Sequence, residues 1–307
     1  MAAHTTHQPP GLVELSDGLA TVIVAPAIGG AIASFRWATP EGPIDWFRPT
    51  PASALVGHDA GELGCFPLVP YSNRIRDSRF VFGGRQVDLM GQRPADPHFE
   101  HGYGWRRPWS IVTQAADRLV IRYTHDRDAW PWRFAAEQEI SVAGGELSVR
   151  LSLHNLDDSD MPAGLGLHPF FPAGRDTVLT ASVEGMWRTD PDVLPTVHGG
   201  LLPDADPNSG LKIAGVALDT VFTGWAHTAE ISWPETRTRL TMRAEAILGN
   251  LVLYTPPGMG YFCAEPVSNV TDAFNRPDDG AGRPGFFVLG AGEHKSALVQ
   301  FVPAISD

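Results

Sequence analysis

The chain has 307 residues and a net charge of −12, from 23 lysine and arginine residues against 35 aspartate and glutamate residues. Nucleic acids and anionic membranes attract proteins with a basic excess, so this charge argues against both partners. Hydrophobic residues make up 43% of the chain, which supplies a large core and excludes disorder over most of its length. The 32 glycines and 27 prolines indicate many turns and few long helices.

The first residues and the cysteines indicate the compartment. Residues 1–11 are polar and lack the basic and apolar regions of a secretory signal. We expect a disordered lead-in there, followed by a single domain over residues 12–307. No window approaches about 18 consecutive apolar residues, which predicts no transmembrane helix. Two cysteines, Cys65 and Cys263, are too few for a disulfide framework, although one bridge between them stays open. A cytoplasmic protein is favoured, as a monomer or a homodimer.

Short segments with apolar residues at every second position predict strands. The clearest runs from Leu147 to Leu153, where serine and arginine fill the alternate positions. In chain order the predicted hairpins join 79–82 to 85–89, 109–113 to 119–124, 137–142 to 147–153, and 230–233 to 239–243, with a late strand at 296–302. Residues 276–285 are predicted to be an exposed loop. No long stretch has helical spacing, so we predict an all-β fold, a large antiparallel β-sandwich with little helix.

Polar side chains concentrate in four segments that we interpret as loops: residues 66–76, 98–109, 164–172 and 262–275. His168 lies among leucines and phenylalanines that would desolvate its imidazole and bring its titration near neutrality. A core histidine bonded to a backbone carbonyl is an open alternative. His101 is either a second functional histidine or an exposed loop residue.

A carboxylate and two donors complete the candidate groups. Glu265 follows an apolar run and precedes Pro266, which places it at a predicted strand end leading into a turn. It is either a general base or a structural carboxylate paired with Arg74 or with backbone amides. Asn73 and Arg74 offer amide and guanidinium donors suited to hydroxyls or a carboxylate. A surface turn is their alternative.

Cofactor motifs are weak or missing in the sequence. His98 and His101 are closely spaced, and this HxxH pattern without a cysteine gives us no reason to expect a metal. There is no phosphate loop, dinucleotide fingerprint or nucleophile elbow, so we expect no nucleotide cofactor and no serine nucleophile. Nine tryptophans offer indole faces on which a sugar ring can lie. The expected partner is a small neutral polyol such as a sugar.

Five segments, in this order along the chain, resemble the aldose 1-epimerase (galactose mutarotase-like) family. They are FPLVPYSNRI (66–75), HGYGWRRPW (101–109), GLHPFF (166–171), LDTVF (218–222) and AEPVSNVTDAFN (264–275). The resemblance covers roughly residues 29–301. It implies a large antiparallel β-sandwich that interconverts the α and β anomers of a free aldose, without a metal or an organic cofactor.

The resemblance also implies residue roles. Glu265 resembles the base that removes the C1 hydroxyl proton, His168 the acid that protonates the ring oxygen, and His101 the second histidine that helps to hold the sugar. Further residues expected at the sugar are Asn73, Arg74, Asp219, Phe170 and Trp105. Ring opening by this pair requires an ionised Glu265 and a protonated His168.

Two alternatives remain at this stage. One is an epimerase of hexose 6-phosphates, which needs a basic phosphate pocket. The arginines that could supply it are Arg74, Arg76, Arg79, Arg106 and Arg107. The other is a sugar-binding sandwich without catalysis, which would have no need of an acid and a base around one carbon.

Overall fold

The structure is a computed structural model that describes residues 11–92, 97–276 and 284–305. Apart from Gly11, the lead-in predicted for residues 1–11 lies outside the described residues. Most of the loop predicted for residues 276–285 lies outside them as well.

Strands dominate the described residues. In chain order they are β1 (Val13–Ser16), β2 (Ala20–Ala25), β3 (Ala31–Thr39), β4 (Gly42–Asp45), β5 (Cys65–Leu68), β6 (Arg79–Phe82), β7 (Arg85–Asp88), β8 (Ser110–Gln114), β9 (Arg118–His125), β10 (Phe134–Ala143), β11 (Glu146–Asn155), β12 (Met161–Ala163), β13 (Gly166–Pro172), β14 (Val178–Ala181), β15 (Gly185–Thr189), β16 (Pro195–Gly199), β17 (Leu211–Lys212), β18 (Asp219–Thr223), β19 (Thr228–Trp233), β20 (Thr238–Ala244), β21 (Asn250–Tyr254), β22 (Tyr261–Val267), β23 (Phe287–Leu289) and β24 (His294–Ile305).

Helices are short. The α-helix found in the described ranges is α1 (Ala52–Gly57), and single 3-10 turns lie at Ala60–Glu62, Arg76–Ser78, Met90–Gln92, Gly104–Arg106, Pro203–Ala205, Pro207–Ser209 and Ala273–Asn275. Within these ranges no helix has the length and apolar character needed to cross a membrane. The prediction of an all-β fold with little helix is confirmed.

Two large antiparallel sheets form the sandwich. The first has eleven strands in the order β1-β2-β3-β5-β13-β22-β21-β18-β15-β16, with β4 paired to β3. The second has nine strands in the order β17-β14-β19-β20-β24-β11-β10-β9-β8. Two small sheets, β12-β23 and β6-β7, complete the arrangement. The four predicted hairpins are confirmed as β6-β7, β8-β9, β10-β11 and β19-β20.

The first sheet is covered on both faces. Toward the second sheet it presents Leu167 and Phe262, which belong to a large buried cluster shared with the second sheet. On its outer face it presents Phe66, Phe170 and Cys263, which belong to a second buried cluster. Because neighbouring residues in a strand point to opposite faces, β13 and β22 are buried at nearly every position. The candidate site lies on this outer face.

An aromatic contact joins the two sheets. Phe301 of β24 is fully buried, and its ring centroid lies 5.0 Å from that of Phe47 and 6.4 Å from that of Phe171 in β13. Phe301→Ala leaves a cavity between the sheets, so we expect the free energy of unfolding to fall by about 3–5 kcal/mol. Urea denaturation measures this loss. Gln300→Ala, at the neighbouring position on the opposite face, is the matched control, and an equal loss there would contradict the inter-sheet role.

Candidate active site

The cavity is built from two neighbouring rows of residues that cross the middle of the first sheet. One row contains Asp219, Tyr254, Cys263 and Phe170, from β18, β21, β22 and β13. The next row contains Val221, Val252, Glu265, His168 and Phe66. The register pairs Gly166 with Val267 and Phe170 with Cys263, so His168 and Glu265 lie opposite each other between these two pairs. Directly opposed side chains are close neighbours in an antiparallel ladder.

His168 and Glu265 form a direct buried contact. The Nε2 atom of His168 lies 3.3 Å from Oε1 of Glu265, and the exposed fractions of the two side chains are 10% and 3%. The second carboxylate oxygen of Glu265 has no hydrogen-bond partner in the described residues. This contact differs from the two alternatives that the sequence left open. His168 is not a core histidine bonded to a carbonyl group, and Glu265 is not paired with Arg74. The pair is an acid and a base side by side at the bottom of the cavity.

Burial shifts the pKa values of both groups toward their uncharged forms. Burial, and then the neighbouring Asp219, raises the pKa of Glu265 well above its usual range. Burial, and then the neighbouring His101, holds the pKa of His168 well below its usual range. Both shifts run against the expected ionised Glu265 and protonated His168. We take the pair in the free protein as neutral, with one proton between Oε1 and Nε2.

His101 is fixed by a reciprocal contact with Asn73. The N–H of His101 donates to the carbonyl oxygen of Asn73, and the N–H of Asn73 donates to Nδ1 of His101, both at 3.0 Å. Since Nδ1 accepts a hydrogen bond, the proton of the neutral ring lies on Nε2. Nε2 lies 4.0 Å from Oε2 of Glu100, a residue that also lines the cavity. His101 therefore presents a donor toward the cavity.

The backbone around His101 makes this approach possible. Asn73 and His101 both adopt left-handed φ angles, of 65° and 59°, which asparagine and histidine tolerate better than most residues. Gly102 follows at 62°, and a Cβ atom there would lie 2.5 Å from the carbonyl oxygen of Val69. Only glycine fits this crossing of the two segments.

The segment after β22 holds the loop that carries Asn73 and Arg74. The side chain of Asn269 accepts from the N–H of Ser72 at 3.0 Å and donates to the carbonyl oxygen of Ser72 at 2.9 Å. Asp272 accepts from the N–H of Arg76 at 2.9 Å, while its own N–H donates to the carbonyl oxygen of Arg74 at 2.8 Å. Asn73 is 3% exposed, which rules out the surface-turn alternative for this residue.

Charged residues line the cavity wall in opposite-sign contacts. Arg74 lies 3.6 Å from Glu100 and 3.8 Å from Asp219, and Arg106 lies 3.9 Å from Glu100. Burial raises the pKa of Asp219 to about 6, against the opposing attraction of Arg74. The wall therefore combines carboxylate acceptors with guanidinium donors.

All eight predicted site residues line one cavity of about 230 Å³: Asn73, Arg74, His101, Trp105, His168, Phe170, Asp219 and Glu265. Gly61, Phe66, Glu100 and Tyr254 line it as well and were not predicted. Glu100 directly precedes His101 in the sequence, and this position could have indicated that Glu100 also lines the cavity. Nothing in the sequence around Tyr254 indicates its place beside Asp219, because the pairing of β18 with β21 brings them together.

The interpretation of the four polar segments as loops is wrong for two of them. Residues 166–172 form β13 and residues 261–267 form β22, both in the middle of the first sheet. Glu265 therefore lies inside a strand and not at its end. The alternation of polar and apolar residues that marks a half-exposed strand is lost here, because both faces of these strands are covered.

A thiol lies beside the buried pair. Ligand atoms of His168, Cys263 and Glu265 all lie within 4.8 Å of one another, so this group could hold a metal ion, and it was missed when only His98 and His101 were considered. Burial raises the pKa of the Cys263 thiol well above its usual range, which keeps it protonated. With a neutral thiol and a proton shared within the pair, we assign no ion to the group. Cys65 and Cys263 are both buried and free, so the open question of a bridge is answered.

The fold and the polar cavity define a β-sandwich with a buried acid–base pair on one sheet, and comparison with known proteins gives the family. The model of the family "Aldose 1-epimerase" matches residues 11–301, and the chain belongs to this family. It is 29% identical to the uncharacterized protein YphB of Escherichia coli (strain K12) over 261 residues, which covers 82% of this chain and 86% of that protein.

Solved structures share the fold. A galactose mutarotase-like protein from Clostridium acetobutylicum superposes with a TM-score of 0.86 at 18% identity, covering 96% of this chain and 95% of the other. The GalM/aldose epimerase homologue from C. elegans superposes with a TM-score of 0.80 at 17% identity, covering 97% and 99%. At these identities the likeness establishes the galactose mutarotase-like fold alone.

The raised pKa of Asp219 predicts a dependence of stability on pH. Between the ordinary carboxyl pKa of 3.8 and the folded value of about 6, the unfolded chain ionises Asp219 while the folded chain does not. Stability from this group is therefore lost as pH rises through this window. We expect Asp219→Asn to match the parent near pH 4 and to melt a few degrees higher at pH 7. Thermal melts at both pH values test this, with the exposed Asp204→Asn as control; a less stable Asp219→Asn at pH 7 would contradict it.

Proposed function

We propose that this protein is an aldose 1-epimerase that interconverts the α and β anomers of a free, uncharged aldose. The observation that carries the proposal is the 3.3 Å contact between Oε1 of Glu265 and Nε2 of His168 at the bottom of a polar cavity. Anomer exchange needs one proton removed from the C1 hydroxyl and one delivered to the ring oxygen. Both oxygens are bonded to the same carbon, so adjacent acid and base atoms can reach both.

Ring opening starts from the charged form of the pair, in which Glu265 is ionised and His168 is protonated. The carboxylate of Glu265 takes the proton of the C1 hydroxyl, the C1–O5 bond breaks with its electron pair going to O5, and the Nε2–H of His168 protonates O5. The product is an open-chain aldehyde beside a protonated Glu265 and a neutral His168. Rotation about C1–C2 presents the other carbonyl face, and closure returns both protons along the same path.

Burial supports this cycle in a specific way. The neutral pair is the protonation state that ring opening produces, and burial favours this state for both Glu265 and His168. Free aldoses in water are mostly closed rings, so an enzyme has to lower the free energy of the open chain relative to the ring. Burial favours the open chain beside the neutral pair over the closed ring beside the charged pair.

The cavity wall would hold the remainder of the sugar. Asn73, Arg74 and Asp219 offer donors and acceptors to hydroxyl groups, and the Nε2–H of His101 faces the cavity as a further donor. A volume of about 230 Å³ is below the range of about 300–1,000 Å³ for drug-sized ligands. This size supports a single sugar unit as the substrate.

Four of the five arginines considered for a phosphate group have carboxylate contacts: Arg74, Arg76, Arg79 and Arg106. Of the five, only Arg74 lines the described cavity, and it contacts both Glu100 and Asp219. Arg76 lies 3.6 Å from Asp272, and Arg79 lies 2.9 Å from Asp88. A phosphate would have to approach two carboxylates of the cavity wall to reach Arg74. These contacts support an uncharged aldose over a hexose 6-phosphate.

Removal of either member of the pair tests the mechanism. Glu265→Gln and His168→Asn keep the shape of the side chains but abolish proton transfer, so we expect the rate constant kcat to fall by about 10²–10⁴. Polarimetry of freshly dissolved α-D-glucose and α-D-galactose measures the rate. The matched controls are the exposed Glu230→Gln and His154→Asn, which leave the rate unchanged.

The same assay separates the competing functions. Near-normal turnover in either variant would refute the roles of Glu265 and His168. A parent protein that binds sugars but accelerates mutarotation of none across a broad aldose panel would instead be a binding protein.

Substrate charge provides an independent test. We expect kcat/KM for glucose to exceed that for glucose 6-phosphate by at least about tenfold, because the phosphate meets Glu100 and Asp219 at the wall. Polarimetry with both substrates at low and high salt measures the ratio, and high salt narrows it because screening weakens the repulsion. A preference for the phosphorylated sugar would contradict the assignment of an uncharged substrate.

A further inference from the structure

His168 belongs to a stacked cluster of six side chains, in which Phe66 and Phe170 also contact each other at a centroid distance of 5.9 Å. The ring of His168 stacks on Phe170 at a centroid distance of 4.6 Å and on Phe66 at 4.4 Å, with interplanar angles of 23° and 29°. Beyond Phe66 the indole of Trp105 stacks at 4.9 Å and 18°. Two guanidinium groups close the ends: Arg48 lies 3.8 Å from the centroid of Phe170, and Arg106 lies 4.3 Å from that of Trp105.

Ring stacking orients the imidazole of His168, where a functional histidine usually relies on a hydrogen bond to its second nitrogen. A catalytic or metal-bound imidazole is commonly fixed by a carbonyl or carboxylate on its second nitrogen. In the described residues, Nδ1 of His168 has no hydrogen bond to the side chain or backbone of another residue. The direction of Nε2 toward Glu265 therefore depends on the two phenyl rings that set the plane of the imidazole.

Arg48 is anchored firmly enough to hold this plane. It is buried, and its Nη2 atom donates to the carbonyl oxygens of Gly61 at 2.8 Å and Leu63 at 2.9 Å. Its backbone N–H donates to the carbonyl oxygen of Phe170 at 2.8 Å. The guanidinium therefore has a fixed position over the ring of Phe170, on which His168 also stacks.

We propose that Arg48 is a positioning residue for His168 and acts through Phe170. This rests on the proposed function for its kinetic consequence. Phe170, which was expected at the sugar, lines the cavity, and its ring contacts both Arg48 and His168. When the guanidinium is removed, Phe170 gains freedom to tilt, and the imidazole that rests on it loses its alignment with O5 of the sugar. Misalignment of an acid affects the chemical step more than binding.

The kinetic test is a double-mutant cycle with Arg48→Met and Phe170→Leu. We expect each single variant to lower kcat by about 10-fold or more, with KM within about threefold of the parent. Because Arg48 acts through Phe170, the double variant should be no slower than the slower single variant. Arg48→Lys keeps the charge but not the planar fork, so we expect an intermediate rate. Additive losses, or a normal kcat in folded Arg48→Met, would overturn the proposal.

A matched control separates positioning from general stability. Arg85 lies over the ring of Trp132 at 5.4 Å and donates to the carbonyl oxygen of Pro131, away from the cavity. Arg85→Met should leave kcat unchanged. Thermal melts identify any variant that fails to fold. If Arg48→Met is such a variant, Phe170→Leu decides: a lowered kcat at unchanged KM supports the proposal, and a normal kcat overturns it.

A readout without activity keeps this proposal distinct from the proposed function. In the NMR spectrum of the imidazole C–H groups, His168 is assigned by its loss in His168→Asn. We expect its signal at unusually high field, because both phenyl rings stack on the imidazole, and we expect Arg48→Met to move it. If the parent lacks mutarotase activity but this shift occurs, the proposed function fails while the positioning role stands. An unmoved signal overturns the positioning role.

Discussion

The contact between Glu265 and His168 places demands on the surrounding structure, because an acid and a base at 3.3 Å have to be kept almost dry. Two central strands meet these demands by fixing the backbone positions from which both side chains project. A one-residue slip between β13 and β22 would turn one partner toward the core between the sheets. Asn73 and Arg74 are carried by a loop, which is itself tied to the segment after β22.

The electrostatics of the cavity work against the stability of the fold. Burial moves the pKa values of Glu265, His168 and Asp219 away from their charged forms, so each group is held in an environment that disfavours its ionisation. Glu265 and Asp219 therefore lower stability at neutral pH relative to uncharged replacements, whereas His168 does so only at pH values below its ordinary pKa. The large apolar cluster between the sheets, which includes residues such as Phe301, offsets this cost. Function and stability are therefore assigned to opposite faces of the same sheet.

Much of this arrangement could be predicted from the sequence. Alternation marked the hairpins of the second sheet, because strands such as β11 have one face in the core and one toward solvent. The candidate site residues were predicted from motifs that resemble the family, and all eight line one cavity. The central strands β13 and β22 were not recognised, since burial on both faces removes the alternation. Arg48 and Tyr254 were not predicted either, because only long-range strand pairing and stacking bring them to the site.

The separation of the two faces also bears on how substrate preference can change. Along β13 and β22, residues toward the cavity alternate with residues that fill the core, such as Leu167 and Phe262. Substitutions at the cavity positions can therefore alter what the cavity binds while the packing between the sheets stays intact. A mutant library confined to wall positions such as Asp219 and Tyr254 would vary the lining of the cavity on an unchanged scaffold. The same property lets one architecture diversify by small steps, because few changes in recognition require the core to be rebuilt.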